Sequence, residues 1–212
     1  MERRAEVDAW LEPRAEEMAA LLEDLVAIET ENPPGRRLGH CGRLLRDAMS
    51  DLGFAYELIE LPPNRHLEEP CLVPGSVRAG PPTVYFHGHF DVVPAQSRAQ
   101  FRPLRANGRI VGRGTADMKG GLVSMLNGAA AARELGLLGG GRIIFHFVCD
   151  EETGSAAGSG HLREAGMIDP AALAMLTAEP TGGAVWHANR GAITLRVDVR
   201  ASQHMLARPT SA

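Results

Sequence analysis

Apolar residues recur at helical spacing between Glu6 and Ile28, where Trp10, Leu11, Met18, Leu21, Leu22, Leu25, Val26 and Ile28 share one face. Asn32-Pro33-Pro34-Gly35 stops that helix, since proline has no N–H to continue it. A second helix is expected from about Leu38 to Leu52, with Leu44, Leu45 and Met49 inward and Gly53 at its C-terminal end. Phe54 to Leu61 reads as a strand closed by Pro62-Pro63. Further along, Thr83 to His87 is a short apolar strand and Met118 to Leu135 a helix rich in alanine and leucine. Arg142 to Cys149, with β-branched and aromatic residues in one run, gives the strongest strand signal. His161 to Ala165 falls in another helix, and Ala171 to Thr177 makes a third central strand.

Near-continuous apolar strands separated by helices predict an α/β fold: a doubly wound, mostly parallel sheet with helices on both faces. A boundary is expected near Thr181-Gly182-Gly183. Beyond it, Ala192 to Val199 alternates apolar and polar residues, the pattern of a strand with one wet face.

Composition narrows the class. The 212 residues are 44% hydrophobic and 23% charged, which is globular rather than disordered. With 22 Lys+Arg against 26 Asp+Glu the net charge is −4, without the basic stripe that nucleic-acid binding requires. No apolar run approaches the roughly 20 residues of a membrane span, and no signal peptide is expected from the charged start. Cys41, Cys71 and Cys149 form no C-x-x-C pair and read as free thiols in a reducing cytoplasm. Lys119 is the only lysine and lies in the most motif-like stretch of the chain.

In open α/β sheets ligands bind beyond the carboxyl ends of the strands. Here the three central strands run into His87-Gly-His89-Phe-Asp91, Asp150-Glu151-Glu152 and Glu179-Pro180. Between the first two lies the glycine-rich turn Gly112-Arg-Gly-Thr-Ala-Asp117-Met-Lys-Gly-Gly121, which enters a helix. Carboxylates converging on one sheet edge raise one another's pKa unless a cation neutralises them. Oxygen ligands mixed with imidazole suit zinc, manganese or cobalt. In this reading His89 is a ligand, Asp91 the group that orients it, and Asp117 a carboxylate able to bridge two metals. Glu151 and Glu152 point different ways, so one can bind metal while the other acts as a base. His87, His146 and His187 are expected in the core or on the surface. Ser155 and Ser159 lack the Gly-x-Ser-x-Gly surroundings of a serine nucleophile.

Taken in order, His87–Pro94, Gly112–Gly121, Asp150–Gly154 and Glu179-Pro180 resemble the acetylornithine deacetylase, succinyl-diaminopimelate desuccinylase and carboxypeptidase G family of dinuclear zinc hydrolases. The opening Leu25–Pro34 is similar as well. The resemblance implies a zinc-exopeptidase-like catalytic domain over residues 1–182 and the beginning of a lid and dimerisation domain over 183–212. It implies two Zn2+ per complete site, with Co2+ or Mn2+ as substitutes. His89, Asp117 and Glu179 would be metal ligands, Asp117 bridging, with Glu152 on the second metal. Asp91 would support His89, and Glu151 would be the general base. Ala201-Ser-Gln-His204 resembles the segment whose histidine stabilises the oxyanion. The substrate class implied is an N-acyl amino acid or small peptide, cleaved at an amide bond, in a cytoplasmic enzyme that forms a homodimer through the lid.

One departure qualifies this. Family members continue for well over a hundred residues, completing the lid and supplying a further metal-binding histidine. The chain is therefore expected to be truncated, with strand 192–199 exposing an unpaired edge. Three readings follow: an active amidohydrolase, a truncated and inactive relative holding at most one metal, or a binding module for a small anion at the Gly112–Gly121 turn.

Overall fold

A computed structural model describes residues 2–62, 72–75, 82–188 and 197–198. The first amphipathic segment forms two helices, α1 (Glu2–Leu11) and α2 (Ala15–Ala27), separated by a 3-10 turn at Glu12–Arg14 where Pro13 interrupts the hydrogen-bond ladder. Helix α3 spans Leu38–Asp51 and buries Leu38, Cys41, Leu45 and Met49. The central sheet contains β1 (Glu57–Glu60), β2 (Leu72–Gly75), β3 (Thr83–His89), β6 (Arg142–Val148) and β7 (Ala174–Thr177) in the order β1-β2-β6-β3-β7. Strands β6, β3 and β7 are parallel, while β1 and β2 join antiparallel at one edge. The parallel centre is the α/β architecture expected; the antiparallel edge adds to it.

Register explains how both faces are covered. Gly88 faces α4 (Gly120–Glu134), where an added Cβ would meet Leu122 and Met118 at 2.6 and 2.8 Å. Phe86, Phe145 and Phe147 make ring contacts on that same side. On the other face Tyr85 stacks on His146, and its hydroxyl bonds Met167 O and Asp169 N beyond helix α5 (Ser159–Glu164). His87 also lies there, with Nε2 3.0 Å from Ser159 Oγ. His87 and His146 are thus packing histidines, as expected, and His187 is exposed.

A small hairpin was not anticipated: β4 (Leu104–Ala106) pairs with β5 (Arg109–Val111). Its signal was present in Asn107-Gly108, whose φ values of +52° and +71° suit a two-residue turn. Cys149 is disulfide-bonded, which corrects the expectation of free thiols; Cys41 is free and buried. Among the described residues no helix is long and apolar enough to cross a membrane. The chain divides into two compact units, Met1–Pro180 and Thr181–Ala212. The alternating segment 192–199, apart from 197–198, and His204 lie outside the described residues.

Candidate metal centre

His89 is the last residue of β3 and is only 2% exposed. Its Nε2 faces three acids from three other segments. Asp117 Oδ1 lies 3.1 Å away, Glu179 Oε1 3.6 Å and Glu151 Oε2 4.0 Å. These acids keep contact with solvent, at 55%, 36% and 49% side-chain exposure, so a ligand can reach them. Among the described residues two sets of potential ligands result, His89–Asp117–Glu179 and His89–Glu151–Glu152, each with its ligating atoms within 4.8 Å of one another. Neither set contains both Asp117 and Glu152. His161, on α5, belongs to neither.

Each acid is delivered by a local feature. Asp117 sits in a non-helical break ahead of α4, with φ −124° and ψ 97°. The glycines after it let the helix start come close: a Cβ on Gly121 would lie 2.6 Å from Ala178 O, next to Glu179. That contact brings the end of β7 against the glycine-rich turn. The same packing argues against the anion-binding reading, since the Thr115 and Ala178 carbonyls crowd the first turn of α4. Glu151 and Glu152 open a 3-10 turn at the end of β6. Glu152 Oε1 accepts the Val93 N–H at 3.1 Å.

Asp91 is fully buried, and its role is wider than orienting a ring. His89 Nδ1 lies 3.0 Å from the Asp91 backbone carbonyl and 3.4 Å from its carboxylate. The carboxylate accepts the backbone N–H of Glu151 at 3.3 Å and of Glu152 at 3.2 Å. Asn32, which sequence reasoning missed, donates to Asp91 Oδ2 at 3.0 Å. Lys119, the lysine of the glycine-rich turn, is buried and donates to Leu25 O at 2.8 Å and Ile28 O at 3.0 Å, tying that turn to the end of α2.

Electrostatics follow from this crowding. Burial alone pulls the His89 imidazole down, but the Asp91, Glu179 and Glu151 carboxylates outweigh it and raise it to about 9. Glu152 and Glu179 are raised, first by burial and then by neighbouring carboxylates, against the opposing influence of His89. One imidazolium cannot balance Asp117, Glu151, Glu152 and Glu179. A mixed nitrogen and oxygen donor set with surplus negative charge and partial solvent access fits a divalent transition-series cation.

Comparison with known proteins agrees. Residues 85–201, more than half of the chain, match peptidase family M20/M25/M40. A probable succinyl-diaminopimelate desuccinylase of Staphylococcus aureus is 28% identical over 186 residues, covering 85% of this chain and 44% of that protein. An N-formyl-4-amino-5-aminomethyl-2-methylpyrimidine deformylase of Halalkalibacterium halodurans is 30% identical over 159 residues, covering 71% and 36%. The chain thus spans less than half the length of these curated relatives. The fold is shared with human carnosine dipeptidase 1, with a TM-score of 0.65, 22% identity and coverage of 82% of this chain and 41% of that one. It is shared with the di-peptidase Dug1p of Saccharomyces cerevisiae, with a TM-score of 0.66, 18% identity and coverage of 82% and 40%. The family match takes in the motifs from His87 to Pro180 together with β6 and β7, and the chain belongs to peptidase family M20/M25/M40.

Proposed function

We propose that the protein is a metal-dependent hydrolase of amide bonds in N-acyl amino acids or small peptides, with zinc as the resident metal and cobalt or manganese as substitutes. The observation that carries this reading is the approach of Asp117, Glu179 and Glu151 to a single histidine nitrogen, His89 Nε2. His89, Asp117 and Glu179 would hold one cation, and Glu152, with Asp117 shared, a second. A bound divalent cation supplies a Lewis acid for the substrate carbonyl and lowers the pKa of a coordinated water toward about 7.

The chain's own residues do the rest. Glu151, half exposed beside the cluster, accepts a proton from the attacking water and returns it to the leaving nitrogen. Asp91 keeps the His89 ring and the Glu151–Glu152 turn in one frame. His204 would stabilise the oxyanion, from a lid that begins near residue 183 and carries the homodimer contact. Residues 1–182 would form the catalytic domain. The related desuccinylase and deformylase are named for removing acyl groups, which supports an N-acyl substrate.

A second reading has its own support. Among the described residues both potential ligand sets use His89, and one nitrogen serves one cation, which supports a truncated, inactive relative holding at most one metal. Metal content per chain, by elemental mass spectrometry with Asp117→Ala as control, separates the readings. Two equivalents lost in the variant, with hydrolysis of N-acyl amino acids or dipeptides, support the first. At most one equivalent without turnover supports the second, and turnover by a chain holding two equivalents overturns it.

A further inference from the structure

Asn32 follows α2 and precedes Pro33, a position that favours extended backbone. The segment it ends lies along the continuation of β3. Thr30 Oγ1 donates to Phe90 O at 2.6 Å, the Val92 N–H to Thr30 O at 3.0 Å, and the Asn32 N–H to Val92 O at 2.9 Å. This pairing drives the Asn32 side chain into the interior, where it is fully buried. Its Nδ2 lies 3.0 Å from Asp91 Oδ2, 3.2 Å from the Cys149 carbonyl and 3.1 Å from Thr153 Oγ1. A carboxylate and a carbonyl only accept, so the atom facing them is the amide NH2. One side chain therefore donates toward the residue beyond β3, the end of β6 and the acidic turn.

Its other end is unspent: Asn32 Oδ1 is buried without a partner among the described residues. Leaving a buried acceptor unpaired is costly, so the amide is poor as mere filling and has value only through its donor side. Asp91 is the common partner. It takes Nδ2 of Asn32 on Oδ2, the same oxygen that receives the Glu152 N–H, while Oδ1 receives the Glu151 N–H.

We infer that Asn32 is a positioning residue of the metal centre, whose carboxamide fixes the Asp91 carboxylate and thereby the spacing between His89 and the Glu151–Glu152 turn. The inference rests on the proposed metal site. It assigns the N-terminal segment, which contributes no ligand, a direct part in setting ligand geometry.

Asn32→Asp is the deciding variant because it keeps the volume and replaces the donor with an acceptor facing Asp91 Oδ2 and Cys149 O. A residue that merely lay nearby would, as an added anion, tighten cation binding. A positioning residue weakens it. Zinc affinity of the wild type, Asn32→Asp and Asn32→Ala is measured by competition with a chromogenic chelator, alongside the visible spectrum of the Co2+ forms. Circular dichroism of the metal-free proteins checks the fold. The expected result is a weakening on the order of 10–100-fold in both variants, with an altered cobalt spectrum and a retained fold. Zinc binding by Asn32→Asp as tight as the wild type, or tighter, overturns the inference. So does failure of both variants to fold, which would make Asn32 a core residue only. Absence of zinc binding by the wild type would instead sink the functional reading and this inference with it.

Discussion

The Asp91 carboxylate accepts the backbone N–H of Glu152 at 3.2 Å, tying the residue beyond β3 to the turn beyond β6. Its other oxygen holds the Glu151 N–H at 3.3 Å. Replacing Asp91 with asparagine keeps the shape but turns one of these acceptors into an NH2 group facing donors. Buried donors left unpaired cost about 1–3 kcal/mol each. Asp91→Asn should therefore lower the denaturant midpoint even without metal, and weaken zinc on the order of 10–100-fold. An unchanged midpoint with reduced zinc affinity would confine Asp91 to orienting His89.

Glu151 and Glu152 are adjacent yet differently placed. Glu152 Oε1 holds the Val93 N–H, whereas Glu151 Oε2 stands 4.0 Å from His89 Nε2 and half exposed. Glu151→Gln keeps the size and removes the basic oxygen. Metal content should stay at the wild-type value while the hydrolysis rate falls on the order of 10²–10⁴-fold. Loss of metal in this variant would make Glu151 a ligand and overturn its assignment as the base.

Gly121 separates helix packing from ligand chemistry. A methyl group there would sit 2.6 Å from the Ala178 carbonyl, which is backbone and cannot rotate away. Gly121→Ala must push α4 from the end of β7 and widen the distance between Asp117 and Glu179. A loss of about 1–3 kcal/mol in stability is expected, as for other overpacked sites. Zinc affinity should fall although no ligand has changed. Denaturant unfolding and zinc titration on the same preparation test this, and wild-type values in both would show that the contact relaxes freely.

The convergence of acids on His89 was legible because these residues sit where a parallel sheet must place them. His89, Glu151 and Glu179 each come at or beyond the end of an apolar run that reads as a strand, although β7 proves exposed at all four positions, and Asp117 sits in a glycine-rich turn before a helix. What supports the cluster was not legible. Asn32 looked like part of a helix stop because its contacts with Asp91, Cys149 and Thr153 are at least 59 residues distant in sequence. Lys119 bonds two carbonyls more than 90 residues away, which no local periodicity encodes. The hairpin at Asn107-Gly108 is different: its turn signal was local, and its strands are only three residues each.

The pH dependence of the metal-free protein should have two limbs with different imidazoles behind them. Burial, with a smaller contribution from neighbouring histidine charge, lowers both His87 and His146 to about 4. An unfolded histidine titrates near 6.5, so between about pH 4 and 6.5 the unfolded chain binds more protons. Stability is then intact above 6.5 and falls as the solution is acidified, by up to about 1.4 kcal/mol per pH unit for each imidazole. His89 has the opposite sign. Raised to about 9, it binds its proton more tightly when folded, so its contribution is complete below 6.5 and is lost as the pH rises toward 9. The raised carboxyls of Asp150, Glu152 and Glu179 also favour the folded state when protonated and lose that contribution as the pH rises through their folded range. His146→Phe isolates the acid limb, because His146 packs against Tyr85 away from the ligand cluster. Urea unfolding of the metal-free wild type and variant at pH 5, 6.5 and 9 should show a flatter acid limb in the variant and the same alkaline limb. An acid limb equally steep in both would mean that His146 carries its proton in the folded protein.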